Sequence, residues 1–221
     1  KKKLKFFLYN QLTQKKASFP ITCMRTGKYG VQGNEEEIDV LISMKNVVLV
    51  ADAKCVHYSV EPINYAEALK RLIEGCEQAI RKADFVKNNP QYFNTLGDYS
   101  SKTIIPFVIT NYPTFTGFSH KDVYIIDSHS FLAYIQSGIM TMRQLTLTID
   151  PIKRFKKFYY NEDQFSNEFI KFLSDNPVKH EFLKRIYIHD LPLAILPEPW
   201  RIISKSAQIN NDSQFNISNN T

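Results

Sequence analysis

Two short apolar runs organise the chain. Ile38–Ile42 and Val47–Val50 are rich in Val, Ile and Leu and too short for helices, so they predict strands. The polar link between them predicts a hairpin, with Lys45-Asn46 as a two-residue turn. Paired residues then sum to 91, which sets Asp39 opposite Asp52 and Glu37 opposite Lys54. The middle of the hairpin is apolar on both faces, with Val40, Ile42 and Leu49 on one and Leu41, Val48 and Val50 on the other. That suits a strand pair inside a sheet covered by helices on both sides.

Helical spacing dominates the flanks. Leu4–Lys16 predicts a short helix with Leu4, Phe7, Leu8 and Leu12 on one side, ended by Pro20. Lys28–Gln32 predicts a strand, and Gly30 and Gly33 punctuate the approach to the hairpin. The clearest helix runs from about Tyr65 to Val86, with Asn64 as N-cap. Its apolar stripe is Leu69, Leu72, Ile73, Cys76, Ile80 and Ala83, and its polar side carries Lys70, Glu74, Glu77, Gln78, Arg81 and Lys82. Thr103–Thr110 and Asp122–Asp127 predict two further strands. Pro106 argues for an edge or an irregularity in the first, and Ser128 caps a helix after the second. This order suggests an α/β sandwich with a mixed sheet.

After Asp150 the pattern changes. Lys153–Tyr160 interleaves four basic residues, Lys153, Arg154, Lys156 and Lys157, with four aromatics. It reads either as a contact for a nucleic-acid strand or as an amphipathic connector with its aromatics turned inward. Asn167–Ile188 looks helical with a break at Pro177, Leu191–Trp200 is Pro-rich, and residues after Lys205 form a polar tail. The expected domains are 1–149, a helical and irregular extension 150–204, and the tail 205–221. The sequons at Asn211, Asn216 and Asn219 carry little weight there.

The ends of the hairpin supply candidate chemistry. Side chains alternate across a sheet, so Asp39, Asp52 and Lys54 project from one face. Opposed Cβ atoms are about 5 Å apart, and two carboxylates that close need positive charge between them. A divalent ion is one source and Lys54 another. The competing reading is a surface hairpin whose ends turn polar.

Composition adds limits. The 221 residues are 43% hydrophobic and 13% aromatic, enough for one large domain with an appendage. No apolar run approaches the ~20 residues that cross a bilayer, and Lys1–Lys3 leads into only a short apolar patch, unlike a signal peptide. The first residue is Lys, which suggests a piece of a longer protein. Cys23, Cys55 and Cys76 have no C-x-x-C spacing and read as reduced packing residues of a cytoplasmic protein. The net charge is +6, yet residues 1–34 hold eight Lys and Arg and no acid, leaving −2 for the other 187. That leading segment, with Lys15, Lys16, Arg25 and Lys28, reads either as a phosphate-binding surface or as a solvated arm.

Asp39, a hydrophobic strand pair, Asp52-Ala53-Lys54 and a long helix with Gln78 together resemble the PD-(D/E)XK nuclease superfamily. The phrase EIDVLI…VVLVADAK is closest to its Mrr-like and NERD-like branches, and the resemblance covers roughly residues 28–135. It implies a restriction-endonuclease-like three-layer sandwich, with a central mixed sheet flanked by helices and a mainly helical C-terminal appendage. It also implies a Mg²⁺- or Mn²⁺-dependent DNA endonuclease of a restriction or phage-defence system. Asp39, Asp52 and the Ala53 carbonyl would hold the ion. Lys54 would orient the attacking water or stabilise charge at phosphorus, and Gln78 would support the site. Two features depart from the family. Nothing acidic precedes Glu35, so the upstream Glu of many relatives is missing or lies before Lys1, with Glu37 as a candidate substitute. Lys82 stands where the branch places a Tyr, four residues after the glutamine. Other readings therefore stay open: an RNA-cleaving enzyme, or a weak or inactive module of this fold that binds nucleic acid or mediates assembly. A homodimer is expected where both strands of a duplex are cut, and further domains or subunits of a larger defence protein are conceivable partners.

Overall fold

The computed structural model describes residues 2–14, 17–24, 26–57, 62–142, 153–176, 179, 186–192 and 203–209. In chain order the elements are α1 (Lys2–Gln14), β1 (Thr22–Met24), β2 (Gly27–Val31), β3 (Asn34–Ile38), β4 (Val40–Ser43), β5 (Val47–Lys54) and α2 (Pro62–Asn88). Then follow β6 (Thr103–Thr110), β7 (Ser119–His120), β8 (Val123–Asp127), α3 (Ser128–Ser137), β9 (Ile139–Met142), β10 (Lys153–Lys157), α4 (Glu162–Asn167), α5 (Phe169–Ser174), β11 (Ile186–Pro192) and β12 (Ile203–Ile209).

Six strands form one mixed sheet in the order β1-β4-β5-β6-β8-β7. The predicted hairpin is present in its predicted register: Val40 pairs with Ala51, Leu41 with Val50, Ile42 with Leu49 and Ser43 with Val48. The Met44 N–H donates to the Val47 carbonyl at 2.9 Å and closes the Lys45-Asn46 turn. Pro106 sits within β6, which runs parallel to β5 without interruption. Pairing with β8 begins only at Phe107, so at Pro106 one side of the strand is still an edge and the absent N–H costs no ladder bond.

The sheet is covered on both faces. Val48, Val50 and Val108 pack under α2, against Leu72, Cys76, Ala79, Ala83 and Val86. On the other face Phe107 meets Phe131 of α3 and Phe169 of α5, as alternation along β6 requires. The architecture is thus α/β with helices on either side of a six-stranded mixed sheet.

Several local expectations change. Phe7 is 46% exposed, and Lys5 takes its place on the buried stripe of α1 with Leu4, Leu8 and Leu12. Centring that stripe between Leu8 and Leu12 brings in position 5 and turns position 7 outward. α2 begins at Pro62, so Asn64 lies inside it and is no cap. The cap of α3 is Asp127, whose side chain accepts from the Ser130 N–H, and not Ser128. Glu37 does not pair with Lys54: the chain bends at Asp39, and β3 pairs with β2, setting Glu37 opposite Lys28.

Compactness divides the chain into residues 1–176 and 177–221. The first unit therefore runs past the expected boundary at 149. α4 and α5 contribute Phe165, Phe169, Phe172 and Leu173 to its core, and Tyr134 stacks on Phe172 at 4.5 Å. The region after residue 150 is also less helical than expected. β10 pairs with β9, and in the second unit β11 pairs antiparallel with β12, which reaches into the expected tail. Residues 210–221, with the three sequons, lie outside the described residues. Among the described residues no helix is long and apolar enough to cross a membrane.

Candidate functional site

Asp39 sits at the bend between β3 and β4, and Asp52 on β5 continues the hairpin register beside it. Both are buried, at 1% and 0% exposure. Burying two carboxylates in an apolar sheet is costly unless each oxygen finds a partner. Three lysines provide the partners. The Lys82 ammonium, from α2, lies 3.0 Å from Asp39 Oδ2 and 2.5 Å from Asp52 Oδ1. Lys54 stands 3.1 Å from Asp52 Oδ2 and donates to Gln78 Oε1 at 2.7 Å. Lys5, from α1, contacts Asp39 Oδ1 and Glu37. The Ala53 N–H adds a 2.9 Å hydrogen bond to Asp39 Oδ2.

The result is a continuous series of alternating charge: Glu37, Lys5, Asp39, Lys82, Asp52, Lys54, closed by Gln78. Three carboxylates face three ammonium groups. Burial alone would push the Asp39 carboxyl up. The Lys82 charge, the Lys5 hydrogen bond and the Ala53 N–H outweigh it and hold that carboxyl well below the usual carboxylate range. Burial likewise pulls Lys5 down, but hydrogen bonds and charge from Asp39 and Glu37 leave it net raised.

Of the residues expected at the site, the structure brings together Asp39, Asp52, Lys54 and Gln78. Ala53 joins through its N–H. Glu37 joins by way of Lys5 and is itself half-exposed. Lys28 is exposed and pairs with Glu35 at 3.7 Å. Lys156 and Lys157 are also exposed, each near an aromatic ring, Phe158 and Tyr160 respectively. Neither group lies among the residues just described. Lys153 and Arg154 are placed by their backbone in β10, and Lys15, Lys16 and Arg25 lie outside the described residues. Within the Lys153–Tyr160 run, Tyr159 is buried and donates to the Tyr134 carbonyl at 2.6 Å, whereas Tyr160 is exposed. Glu36 is held by Arg81 through two hydrogen bonds of 2.7 and 3.2 Å.

Sequence reasoning missed Lys82, Lys5 and Gly75. Lys82 was expected on the polar side of α2 and is 2% exposed. Its position offered a signal, since it falls three residues after Ala79 and four before Val86, both fully buried. Gly75 lies where Lys54 crosses α2, and a Cβ there would come within 2.9 Å of Lys54 Cε.

Two carboxylates in this position suit a hard cation such as Mg²⁺, which keeps most of its waters. Asp39 Oδ2 and Asp52 Oδ1 already share one ammonium, so their spacing also suits one small cation. The donor pair therefore fits such an ion in kind and spacing, with Lys82 as its competitor. Among the described residues no cluster of three or more His, Cys, Asp or Glu side chains is arranged to hold a metal.

Lys54 opens onto a polar cleft of about 510 Å³ lined by His57, Arg71, Glu74, Asn111 and Tyr112. The cleft lies beyond the carboxyl ends of the parallel strands β5 and β6, where open α/β sheets commonly bind ligands. A larger hollow of about 680 Å³, bounded by Asp84, Lys87, Tyr99 and Lys102, includes none of these site residues. Cys23 and Cys55 are half-buried and Cys76 is buried, all as free thiols. Burial pushes the Cys23 and Cys76 thiols up to about 11, which keeps both protonated and poorly nucleophilic.

No family model, curated protein or solved structure matches this chain.

Proposed function

We propose that this protein is a divalent-ion-dependent phosphodiesterase of the PD-(D/E)XK type, cutting DNA. One observation carries the reading. Asp39, at the bend before β4, and Asp52, on β5, converge closely enough to share a cation, and Lys54, two residues on from Asp52, engages its other oxygen. The strand order supports it as well: an antiparallel β1-β4-β5 set, then a long helix, then β6 parallel to β5, which suits a restriction-endonuclease-like core.

The roles follow from position. Asp39 and Asp52 would hold Mg²⁺ or Mn²⁺, and the bound ion would supply Lewis-acid stabilisation of charge on the phosphate. Lys54 is kept extended between Gln78 and Asp52 at the edge of the cleft, where its ammonium can hydrogen-bond a phosphate oxygen or the attacking water. Arg71, on the cleft wall, adds a second positive group for the backbone of a strand. The substrate class, a restriction or defence setting and a dimer acting on duplex rest on the resemblance, and a cytoplasmic location on the reduced, unspaced cysteines.

The test is cleavage of supercoiled and single-stranded DNA, and of RNA in parallel, with Mg²⁺ or Mn²⁺ against EDTA. Ion-dependent cutting that is lost in Asp52→Ala and Lys54→Ala is the expected result. Binding of nucleic acid without ion-dependent cutting would overturn it. That outcome would favour the second reading, a non-cutting module of the same fold, which draws its support from the Lys82 ammonium seated between the two carboxylates.

A further inference from the structure

A divalent ion bound by Asp39 and Asp52 would have to take the place Lys82 now holds. All four carboxylate oxygens of the pair face an ammonium group: Lys5 and Lys82 on Asp39, Lys82 and Lys54 on Asp52. Lys5 and Lys54 each reach one oxygen from the outside. Among the described residues Lys82 alone spans both carboxylates, and its side chain is 3% exposed. Among the described residues the cluster sets three ammonium groups against three carboxylates, so an ion added without displacing Lys82 would bring positive charge that none of them offsets.

We propose that Lys82 is a built-in counter-cation for the Asp39–Asp52 pair. It holds the carboxylates together when no ion is present and competes with Mg²⁺ or Mn²⁺ for them. The inference rests on reading Asp39 and Asp52 as the ion's ligands. It makes two linked statements: the ion-free protein is folded with the pair closed, and the wild type binds a divalent ion more weakly than its carboxylates would allow. Removing the ammonium reverses both, because the unneutralised pair then becomes both a repulsive contact and a better cation site.

The experiment is Mn²⁺ binding to the full chain, followed by loss of the free-ion EPR signal, together with thermal unfolding in EDTA and in excess Mn²⁺. The variants are Lys82→Met, Lys82→Gln and the charge-conserving Lys82→Arg. In the Met and Gln variants the Mn²⁺ dissociation constant is expected to fall by more than about tenfold, as removal of an adjacent like charge demands. Lys82→Arg is expected to remain near wild type. In EDTA the Met and Gln variants melt below wild type, and Mn²⁺ raises their melting temperature more than it raises the wild type's. Adding Asp52→Asn to Lys82→Met is expected to abolish the gain.

Equal Mn²⁺ affinity in wild type and Lys82→Met, or a gain that survives Asp52→Asn, overturns the proposal. If neither neutral variant folds in EDTA, native near-UV circular dichroism is expected to return on adding Mn²⁺, and failure to return overturns it equally. The nuclease reading fails separately. Tighter Mn²⁺ binding in Lys82→Met, with no cutting of any nucleic acid by any form, leaves the counter-cation in place and removes the nuclease. Ion-dependent cutting by wild type with unchanged Mn²⁺ affinity in Lys82→Met does the reverse.

Discussion

Gly75 on α2 is the floor on which the Lys54 side chain lies. A Cβ at this position would approach Lys54 Cε to 2.9 Å and Cγ to 3.1 Å, closer than two carbon atoms rest. The absence of a side chain at residue 75 thus gives Lys54 room to lie along α2 while it reaches Gln78 and Asp52. Gly75→Ala should leave the helix at least as stable, since alanine gains about 1 kcal/mol over glycine in helix propensity. On the proposed nuclease reading, the displaced ammonium should nonetheless lower DNA cleavage by about 10- to 100-fold, as misplacements near 1 Å do. Thermal melting read beside initial cleavage rates checks both halves, and an unchanged rate would mean Lys54 has room to spare.

Acid should open the charged cluster. The folded-state carboxyl of Asp39 lies well below its usual range. It therefore contributes stability that is fully present above the unfolded value of about 3.9 and lost as pH falls toward the folded value. Wild type should lose stability steeply below about pH 4, and Asp39→Asn should lose less over the same interval. Urea unfolding at pH 3, 4, 5 and 7 checks the difference between the two curves.

Lys5 predicts the opposite slope. Its folded-state ammonium is net raised by Asp39 and Glu37. Its contribution is full below the unfolded value of about 10.4 and is lost as pH rises through the folded one. Lys5→Met keeps the apolar stem and removes the charge, so it should destabilise at pH 7 by about 1.5–3 kcal/mol, the scale of one charged hydrogen bond, because Lys82 and the Ala53 N–H still hold the other oxygen of Asp39. Chemical unfolding at pH 7 measures it, and a loss under 1 kcal/mol would show α1 dispensable to the site.

The aromatic packing of α4 and α5 predicts where the first unit can be cut. Phe165, Phe169, Phe172 and Leu173 are fully or almost fully buried, and Phe107, Phe131 and Tyr134 lean on them. A chain ending at residue 149 should lose this layer and fail to unfold cooperatively, whereas one ending at residue 176 should melt in a single transition. Near-UV circular dichroism of the two proteins decides it. A native signal from the shorter chain would count against the packing as a folding requirement.

The hairpin was legible in the sequence because local rules fix it. Two Val- and Ile-rich runs and a two-residue turn leave one register, and β4 and β5 adopt it. Asp39, Asp52 and Lys54 inherit their shared face from that register. Lys5 and Lys82 were not legible in the same way. A lysine on an amphipathic helix reads as solvated until a carboxylate from a distant strand is known to face it, and that meeting is tertiary. β2 was legible as the strand expected at Lys28–Gln32, but β3 and its pairing with β2 were hidden for a related reason. Glu35 and Glu36 look solvated in the sequence and Glu37 a candidate ligand, yet alternation along β3 sends Glu36 to Arg81 and Glu37 to Lys5. The boundary expected near residue 150 followed a change in composition, while the first unit is held past it by aromatic contacts between segments far apart in sequence.

The balance of the buried charged cluster bears on how the molecule looks from afar. Three anions and three cations locked within a few ångströms cast almost no field beyond their own neighbourhood. The whole formal excess of +6 therefore belongs to side chains outside that group, and long-range attraction toward a polyanion would fade over a Debye length of about 8 Å at physiological ionic strength. Added salt should weaken first encounters with such a partner while leaving the interior order of the lysines and carboxylates intact.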